Sequence, residues 1–262
     1  MKGAITGDII GSIFEHHNCR TKHFPLYSED GFFTDDTVMT LAVAESFLRD
    51  WPASEDQMVS SFAKRMGHFG RSYPGRGYGG RFLDWLYSND PQPYNSWGNG
   101  APMRCSAAGW VASSAEEARH LGALTAYPTH NHPEAIFAAS VTAELIFLAR
   151  QGYRMDTLER WAREKYIIRK LDDIRPTYRF SERSLDTMPP ALAAFFESTS
   201  FEDAIRNAIS VGGDSDTIAA ITGSIAEAYY GIPDAIWEES RAYLDPSLDD
   251  IVTKFYQKFV TD

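Results

Sequence analysis

The sequence has very little cysteine and no long apolar run. Cys19 and Cys105 are the only two cysteines in 262 residues, which is too few for a disulfide framework and suits a reducing compartment. No stretch approaches the roughly 20 consecutive apolar residues that a membrane-spanning helix needs. Asp8 interrupts the apolar start of the chain, and no small-residue cleavage site follows, so a signal peptide is not predicted. We therefore expect a cytoplasmic protein that does not span a membrane.

Basic residues are also scarce. The chain has 25 Lys and Arg against 36 Asp and Glu, a formal net charge of -11 and a pI near 5.1. That balance disfavours non-specific binding to nucleic acid or to an anionic membrane surface. No stretch rich in Pro, Ser and Gly divides the chain, and 44% of its residues are hydrophobic, which allows one large core. The prediction is a monomer with a single domain over residues 1–262.

Alternating strands of convincing length are missing as well, and nearly every periodic segment has apolar residues at helical spacing. In the first segment, Gly3, Gly7 and Gly11 recur on one face, and glycines at this spacing let a second helix approach closely. The charged and aromatic stretch from Tyr166 to Pro190 is predicted to be irregular, as a lid or a long connection. The predicted architecture is a compact all-α domain.

Paired aspartates stand at two predicted helix starts, Thr34-Asp35-Asp36-Thr37 and Gly213-Asp214-Ser215-Asp216-Thr217. An isolated acidic pair at a helix start usually acts only as an N-cap. Two such pairs together offer carboxylate and hydroxyl oxygens, the ligands that hard cations such as Mg²⁺, Mn²⁺ or Ca²⁺ prefer. If the two starts meet, the four carboxylates would repel one another without cations. The sequence therefore favours a two-metal centre in the middle of the domain.

Two loops and a pair of histidines indicate a binding site less specifically than the paired aspartates do. Residues 71–80 combine glycines with aromatic rings and arginines, and residues 89–100 are a second polar stretch rich in Pro and Gly. Flexible backbone beside rings and guanidinium groups suits a pocket for phosphate and base but is at least as common in surface loops. His130 and His132 precede a long apolar helix and could bind zinc, but they have no Cys partner and no His-Glu-x-x-His spacing. The alternatives are an N-cap for His132 and a buried hydrogen-bonding group for His130.

Five motifs, taken in order, resemble those of the ADP-ribosylglycohydrolase family, which includes the enzyme that reactivates dinitrogenase reductase. They are Gly7-Asp8-Ile9-Ile10-Gly11 with Glu15, Thr34-Asp35-Asp36-Thr37, Ser96-Trp97-Gly98-Asn99-Gly100 with Met103-Arg104, Thr129-His130, and Gly213-Asp214-Ser215-Asp216-Thr217. The resemblance runs from Met1 to about Gly231.

The resemblance implies an all-helical fold that holds two divalent cations, Mg²⁺ or Mn²⁺. The implied metal ligands are Thr34, Asp35, Asp36, Asp214, Asp216 and Thr217. Glu15 is similar to an acidic residue that approaches the metals and the substrate in some members. The implied substrate contacts are Gly75, Gly77, Tyr78, Ser96, Trp97, Gly98, Asn99, Gly100, Met103, His130 and Ser215. Among them, the Asn99-Gly100 loop and His130 would hold the distal ribose and the phosphates, and the Gly75–Tyr78 loop would follow the diphosphate.

The implied activity is hydrolysis of the glycosidic bond at C1 of ADP-ribose, which removes ADP-ribose from an arginine or serine side chain of a modified protein. Asp35 or Glu15 is expected to take the proton of the attacking water.

Other functions stay open at this point. One is hydrolysis of a small ADP-ribose conjugate, another N-glycoside or ADP-ribosylated nucleic acid, because the loops at residues 18–32 and 166–190 carry no motif that decides the leaving group. Another is non-catalytic binding of ADP-ribose, which would predict lost metal ligands. A helical phosphohydrolase of the His-Asp type is disfavoured, since the chain has no His-Asp dipeptide.

Overall fold

The computed structural model describes residues 1–260, which fold into α-helices without a β-sheet; one isolated antiparallel bridge joins Gly98 to Arg183. The helices are α1 (Lys2–Gly11), α2 (Asp35–Asp50), α3 (Glu55–Ser72), α4 (Gly80–Leu86), α5 (Ser106–Val111), α6 (Ala115–Ala126), α7 (Pro133–Arg150), α8 (Met155–Arg163), α9 (Leu171–Ile174), α10 (Ser184–Phe196), α11 (Phe201–Val211), α12 (Ser215–Tyr230), α13 (Asp234–Arg241) and α14 (Pro246–Phe259). The all-α prediction is confirmed. Both cysteines are free, and none of these helices is long and apolar enough to cross a membrane.

The central helix is α12. It is buried from Ser215 to Glu227 and packs against α1, α2, α7, α10 and α11. Its apolar side chains join those of the surrounding helices in one buried cluster. A continuous core of this kind is what one domain requires, and the single-domain organisation stays a prediction.

The glycines of α1 allow it to cross α12 at close range. A Cβ atom added at Gly7 would lie 2.1 Å from the carbonyl oxygen of Ala219, and one added at Gly11 would lie 2.4 Å from the Cα atom of Asp216. Real Cβ atoms do not come this close to backbone atoms, so the predicted close approach of a second helix is confirmed. Because Asp216 lies at the crossing, the packing of α1 on α12 also positions a predicted site residue.

The stretch predicted to be irregular contains parts of two helices. α9 lies within it, and α10 begins at Ser184, so Pro189 and Pro190 lie inside α10. Proline removes a hydrogen bond from a helix interior, which is why these two residues argued against a helix. α10 packs against α7, α11 and α12, and burial of its apolar face, including Pro190, offsets that loss.

Replacement of Gly7 by Ala should destabilise the fold, because the new methyl group meets backbone and not a movable side chain. We expect the free energy of unfolding to fall by about 1–3 kcal/mol, seen as a lower midpoint of urea denaturation. Gly80→Ala is the matched control, since no atom lies within 4 Å of a Cβ added there. An unchanged midpoint for Gly7→Ala would contradict the close crossing.

Candidate active site

The two aspartate-bearing helix starts lie side by side in the interior. Thr34 caps α2, and its side chain accepts a hydrogen bond from the backbone N–H of Asp36 at 3.2 Å. Asp214 is the residue before α12. The hydroxyl of Thr217, in the first turn of α12, donates to Oδ2 of Asp36 at 3.2 Å. This contact joins the two motifs directly.

Asp8 of α1 holds the first turn of α2 in place. Its carboxylate is fully buried and accepts four hydrogen bonds: from the backbone N–H of Thr34 at 2.9 Å and of Thr37 at 3.0 Å, and from their hydroxyls at 2.7 and 2.5 Å. From the sequence, Asp8 has no predicted role beyond its place in a motif. The available signal was a lone carboxylate inside an apolar helix, which is costly unless it is hydrogen-bonded.

Glu15, Asp214 and Asp216 form an acidic group that could hold a metal ion. One carboxylate oxygen from each lies within 4.8 Å of the others. In addition, Oδ1 of Asp36 and Oδ1 of Asp216 are buried and have no hydrogen-bond partner among residues 1–260. Unpartnered buried carboxylate oxygens are uncommon, and an oxygen-only donor set fits Mg²⁺ or Mn²⁺.

Burial and mutual repulsion raise the pKa values of these carboxyls. The pKa of Asp35 rises to about 8, first because of desolvation and then because of the charges of Asp8 and Asp214. Desolvation, followed by neighbouring carboxylates, also raises the pKa of Asp36 and of Asp216 well above the ordinary value. Burial, followed by the charge of Asp214, raises the pKa of Glu15. A cation bound here would replace protons and relieve the repulsion.

The carboxylates face a cleft of about 450 Å³. Most residues predicted for the site line it: Glu15, Thr34, Asp35, Asp36, Gly75, Gly77, Ser96, Trp97, Gly98, Asn99, Gly100, Met103, His130, Asp214, Asp216 and Thr217. Tyr78 and Ser215 do not line it. The Tyr78 ring stacks on Phe82 and its hydroxyl donates to the Tyr73 carbonyl at 2.9 Å. The Ser215 hydroxyl donates to the carbonyls of Phe14 and Gly213, both at 3.3 Å.

The Ser96–Gly100 loop contacts both the carboxylates and His130. The Asn99 amide donates to Oδ2 of Asp214 at 2.6 Å. A Cβ added at Gly100 would lie 2.9 Å from Nε2 of His130, so glycine is needed where the ring packs on the loop. His130 is buried, and desolvation, followed by the charges of Arg104 and Arg81, lowers its pKa well below the ordinary value. His130 is therefore neutral at physiological pH.

The histidine alternatives can now be compared with the structure. Nδ1 of His132 accepts from the backbone N–H of Glu134 at 3.2 Å and caps α7, as the N-cap interpretation predicted. Nδ1 of His130 shares a hydrogen bond of 2.7 Å with the Thr129 hydroxyl. Neither histidine belongs to a group of potential metal ligands among the described residues.

Three arginines add positive charge to the cleft; from the sequence, the loop with Arg76 was predicted to suit phosphate, whereas Arg81 and Arg104 had no predicted role of their own. Arg76 lies over the Phe33 ring at 3.8 Å, and Arg81 lies over the Tyr94 ring at 4.9 Å. Arg104 is buried and donates to the Thr129 hydroxyl at 2.8 Å. All three line the cleft, and within residues 1–260 none forms an ion pair with a carboxylate. The cleft thus suits a ligand with a polyhydroxylated end and an anionic end.

Known proteins with similar sequences cover most of the chain. Mouse ADP-ribosylhydrolase ARH3 is 24% identical over 324 aligned positions, which cover 92% of this chain and 85% of the mouse protein. ADP-ribosylarginine hydrolase Tri1 of Pseudomonas putida is 26% identical and covers 88% of this chain and 70% of its own length. The ADP-ribosyl-[dinitrogen reductase] glycohydrolase of Rhodospirillum rubrum is also 26% identical, with 88% and 84% covered.

A solved structure supports the same fold. A chain described as an ADP-ribosylglycohydrolase-related protein complex superposes with a TM-score of 0.68 at 23% identity, covering 98% of this chain and 96% of that chain. The family model described as ADP-ribosylglycohydrolase matches residues 1–261. A match of this extent accounts for both the helical fold and the order of the motifs. The chain therefore belongs to the ADP-ribosylglycohydrolase family.

Proposed function

We propose that this enzyme hydrolyses the bond at C1 of ADP-ribose on an arginine or serine side chain of a modified protein, with the help of two divalent cations. The observation that carries the proposal is the meeting of the two aspartate-bearing helix starts, through the contact between Thr217 and Asp36, beside Glu15 in one cleft. An intact set of acidic residues also argues against a protein that only binds ADP-ribose.

The charged groups of the cleft match the parts of ADP-ribose. The distal ribose, with its hydroxyls and C1, fits the carboxylates. The diphosphate fits the arginines, of which Arg76 lies between Gly75 and Gly77 on the cleft wall. Guanidinium groups that lack a carboxylate partner are well suited to phosphate oxygens. Phosphates placed against the carboxylates would be repelled, so charge favours this direction of binding.

The residues that would hold the cations are Thr34, Asp35, Asp36, Asp214, Asp216 and Thr217, and Glu15 belongs to the same acidic group as Asp214 and Asp216. When bound, divalent cations would supply positive charge that polarises nearby water and ribose hydroxyls. The strongest support for this assignment is that the buried Oδ1 atoms of Asp36 and Asp216 have no hydrogen-bond partner within residues 1–260.

Asp35 and Glu15 are the two candidates for the general base. In the reaction, the bond from C1 to the leaving atom breaks with its electron pair on that atom, and a water oxygen bonds to C1 of an oxocarbenium-like sugar. One carboxylate takes the proton of that water, and the leaving nitrogen or oxygen gains a proton, so that hydrolysis consumes one water and leaves no net change of protons on the enzyme. Asp35 is half-buried and faces the cleft. Its backbone N–H donates to the Arg76 carbonyl at 2.8 Å. A Cβ added at Gly77 would lie 3.2 Å from Oδ1 of Asp35. It therefore stands between the carboxylate group and the loop assigned to the diphosphate.

Release of free ADP-ribose tests the proposed activity and selects the linkage. Arginine-ADP-ribosylated and serine-ADP-ribosylated protein should each be incubated with Mg²⁺, with Mn²⁺ and with chelator. We expect release from one of the two, and we expect chelator to abolish it because the carboxylates then lack their counter-charge. No release from either protein, with cation binding confirmed, would shift the proposal to a small or nucleic-acid conjugate.

Asp35→Asn should lower kcat at least roughly 100-fold, because an amide cannot accept the proton of the attacking water. The measurement is turnover of the substrate selected above, with Glu15→Gln assayed beside it to decide which carboxylate acts as the base. Asp250→Asn is the control, since Asp250 is an exposed residue that pairs with Lys254 on α14. Full activity of Asp35→Asn would remove Asp35 from the mechanism.

Cations should stabilise the protein in a pH-dependent way. Without cations, Tm should fall as pH rises from the ordinary carboxyl pKa of 3.8 towards the value of about 8 for Asp35, because the folded state then holds protons that the unfolded chain has lost. Mg²⁺ or Mn²⁺ should raise Tm, and more at pH 8 than at pH 5, since cations compete with protons for the same oxygens. Differential scanning calorimetry measures both effects.

Asp216→Asn provides the comparison for this experiment, because it removes one charge and one unpartnered oxygen from the group. Its Tm should respond weakly to cations. Equal Tm values for the wild-type enzyme with chelator and with cation at pH 8 would contradict the assigned metal ligands.

A further inference from the structure

A second cavity adjoins the cleft, and we call it the side groove. It has a volume of about 500 Å³ and lies beside α9 and α10. Its lining includes Ile167, Arg169, Tyr178, Arg179, Phe180 and Asp186. Phe180 lines both the side groove and the cleft. The two cavities therefore meet at this ring.

The side groove lies next to the turn that carries Asp214. Tyr178 forms part of its wall and packs on the turn that carries Asp214, since a Cβ added at Gly213 would lie 2.6 Å from Cε1 of the Tyr178 ring. Arg20 fastens this wall by donating to the carbonyls of Tyr178 at 2.9 Å and Val211 at 2.5 Å. A group attached at C1 of the distal ribose would consequently leave the cleft beside the side groove.

The surface of the side groove combines apolar and positive groups. The Ile167 side chain is 88% exposed and Phe180 is 49% exposed, which is unusual for large apolar residues. Arg169 and Arg179 are exposed and form no ion pair among the described residues. Asp186 accepts a hydrogen bond from the Ser181 hydroxyl at 2.9 Å. Residues 165–190 have six Lys and Arg against four Asp and Glu, in a chain whose net charge is -11.

We propose that the side groove binds the polypeptide segment that flanks the ADP-ribosylated side chain, and that it prefers segments with acidic and apolar residues. The inference rests on the proposed function, because it takes the modified protein as the substrate. Two observations support this occupant. The side groove begins where the leaving group emerges, and its two guanidinium groups, which form no ion pair among the described residues, complement acidic side chains. A small ADP-ribose conjugate has no flanking segment and would not use the side groove.

Kinetics with matched substrates test the proposal. Three substrates are needed: an ADP-ribosylated peptide with acidic and apolar flanks, the same peptide with basic flanks, and the ADP-ribosylated amino acid alone. The variant Arg169→Glu with Arg179→Glu should raise KM for the acidic peptide about five- to ten-fold, in line with the loss of two exposed charge pairs. It should leave kcat/KM for the amino-acid conjugate unchanged, and it should lower KM for the basic peptide.

The control carries the same kind of charge reversal at a distant surface. Lys64→Glu on α3 changes an exposed residue that lines neither cavity, and it should affect all three substrates equally. Ile167→Ser should raise KM for the acidic peptide alone, since that side chain lies in the side groove only. Equal effects of Arg169→Glu with Arg179→Glu on the peptides and the amino-acid conjugate, or no effect on any of them, would overturn the proposal.

A binding measurement separates this proposal from the proposed activity. If the wild-type enzyme releases no ADP-ribose from any substrate, the proposed function fails. Fluorescence anisotropy of the same acidic peptide without ADP-ribose then tests, independently of activity, whether the side groove binds the peptide. Binding that weakens in the Arg169→Glu, Arg179→Glu variant supports the side groove. Equal peptide binding by the wild-type enzyme and by that variant overturns the side-groove proposal.

Discussion

The close crossing of α1 and α12 is the constraint on which the rest of the structure depends. Because glycines face α12, backbone meets backbone at Gly7 and Gly11, and the two helices cannot slide without a clash. Asp8 of α1 then lies where it can hold the first turn of α2 through Thr34 and Thr37. Three helices from distant parts of the chain are thereby locked in one register. Glycine in a helix interior costs roughly 0.5–1 kcal/mol relative to alanine, and the gain is a fixed geometry for the carboxylates.

The acidic group would be unfavourable in an ordinary core. Buried carboxylates that repel one another raise each other's pKa, as the values for Asp35, Asp36 and Asp216 reflect. The fold lowers this cost with helix N-termini, threonine hydroxyls and the amide of Asn99. Within the described part of the chain, however, two buried carboxylate oxygens of the group have no hydrogen-bond partner. Stability that is given up at one place for binding is common at functional sites. Here the deficit is of the kind that a divalent cation removes.

Charge is distributed unevenly over an acidic molecule. The cleft is lined both by the carboxylates and by Arg76, Arg81 and Arg104. The side groove forms a second positive region near Asp214. Each region has a different part of the proposed substrate to bind: the diphosphate at the arginines of the cleft, the distal ribose at the carboxylates, and the flanking polypeptide in the side groove.

The sequence by itself determined the features that local rules govern. Neighbouring residues determine the helical periodicity, the caps before α2 and α7, and the glycine spacing of α1. The paired aspartates identified the two helix starts that meet. Tertiary structure decided which side chains face the same space. Tyr78 and Ser215 stand next to cleft residues in the chain but face elsewhere. Tyr78 lies in the loop before α4 and stacks on Phe82, whereas Ser215 begins α12, where successive residues point about 100° apart. Three further features depend on segments far apart in sequence, which only packing brings together. They are the hydrogen-bond partners of Asp8, the set of arginines that line the cleft, and the burial that keeps Pro189 and Pro190 inside α10.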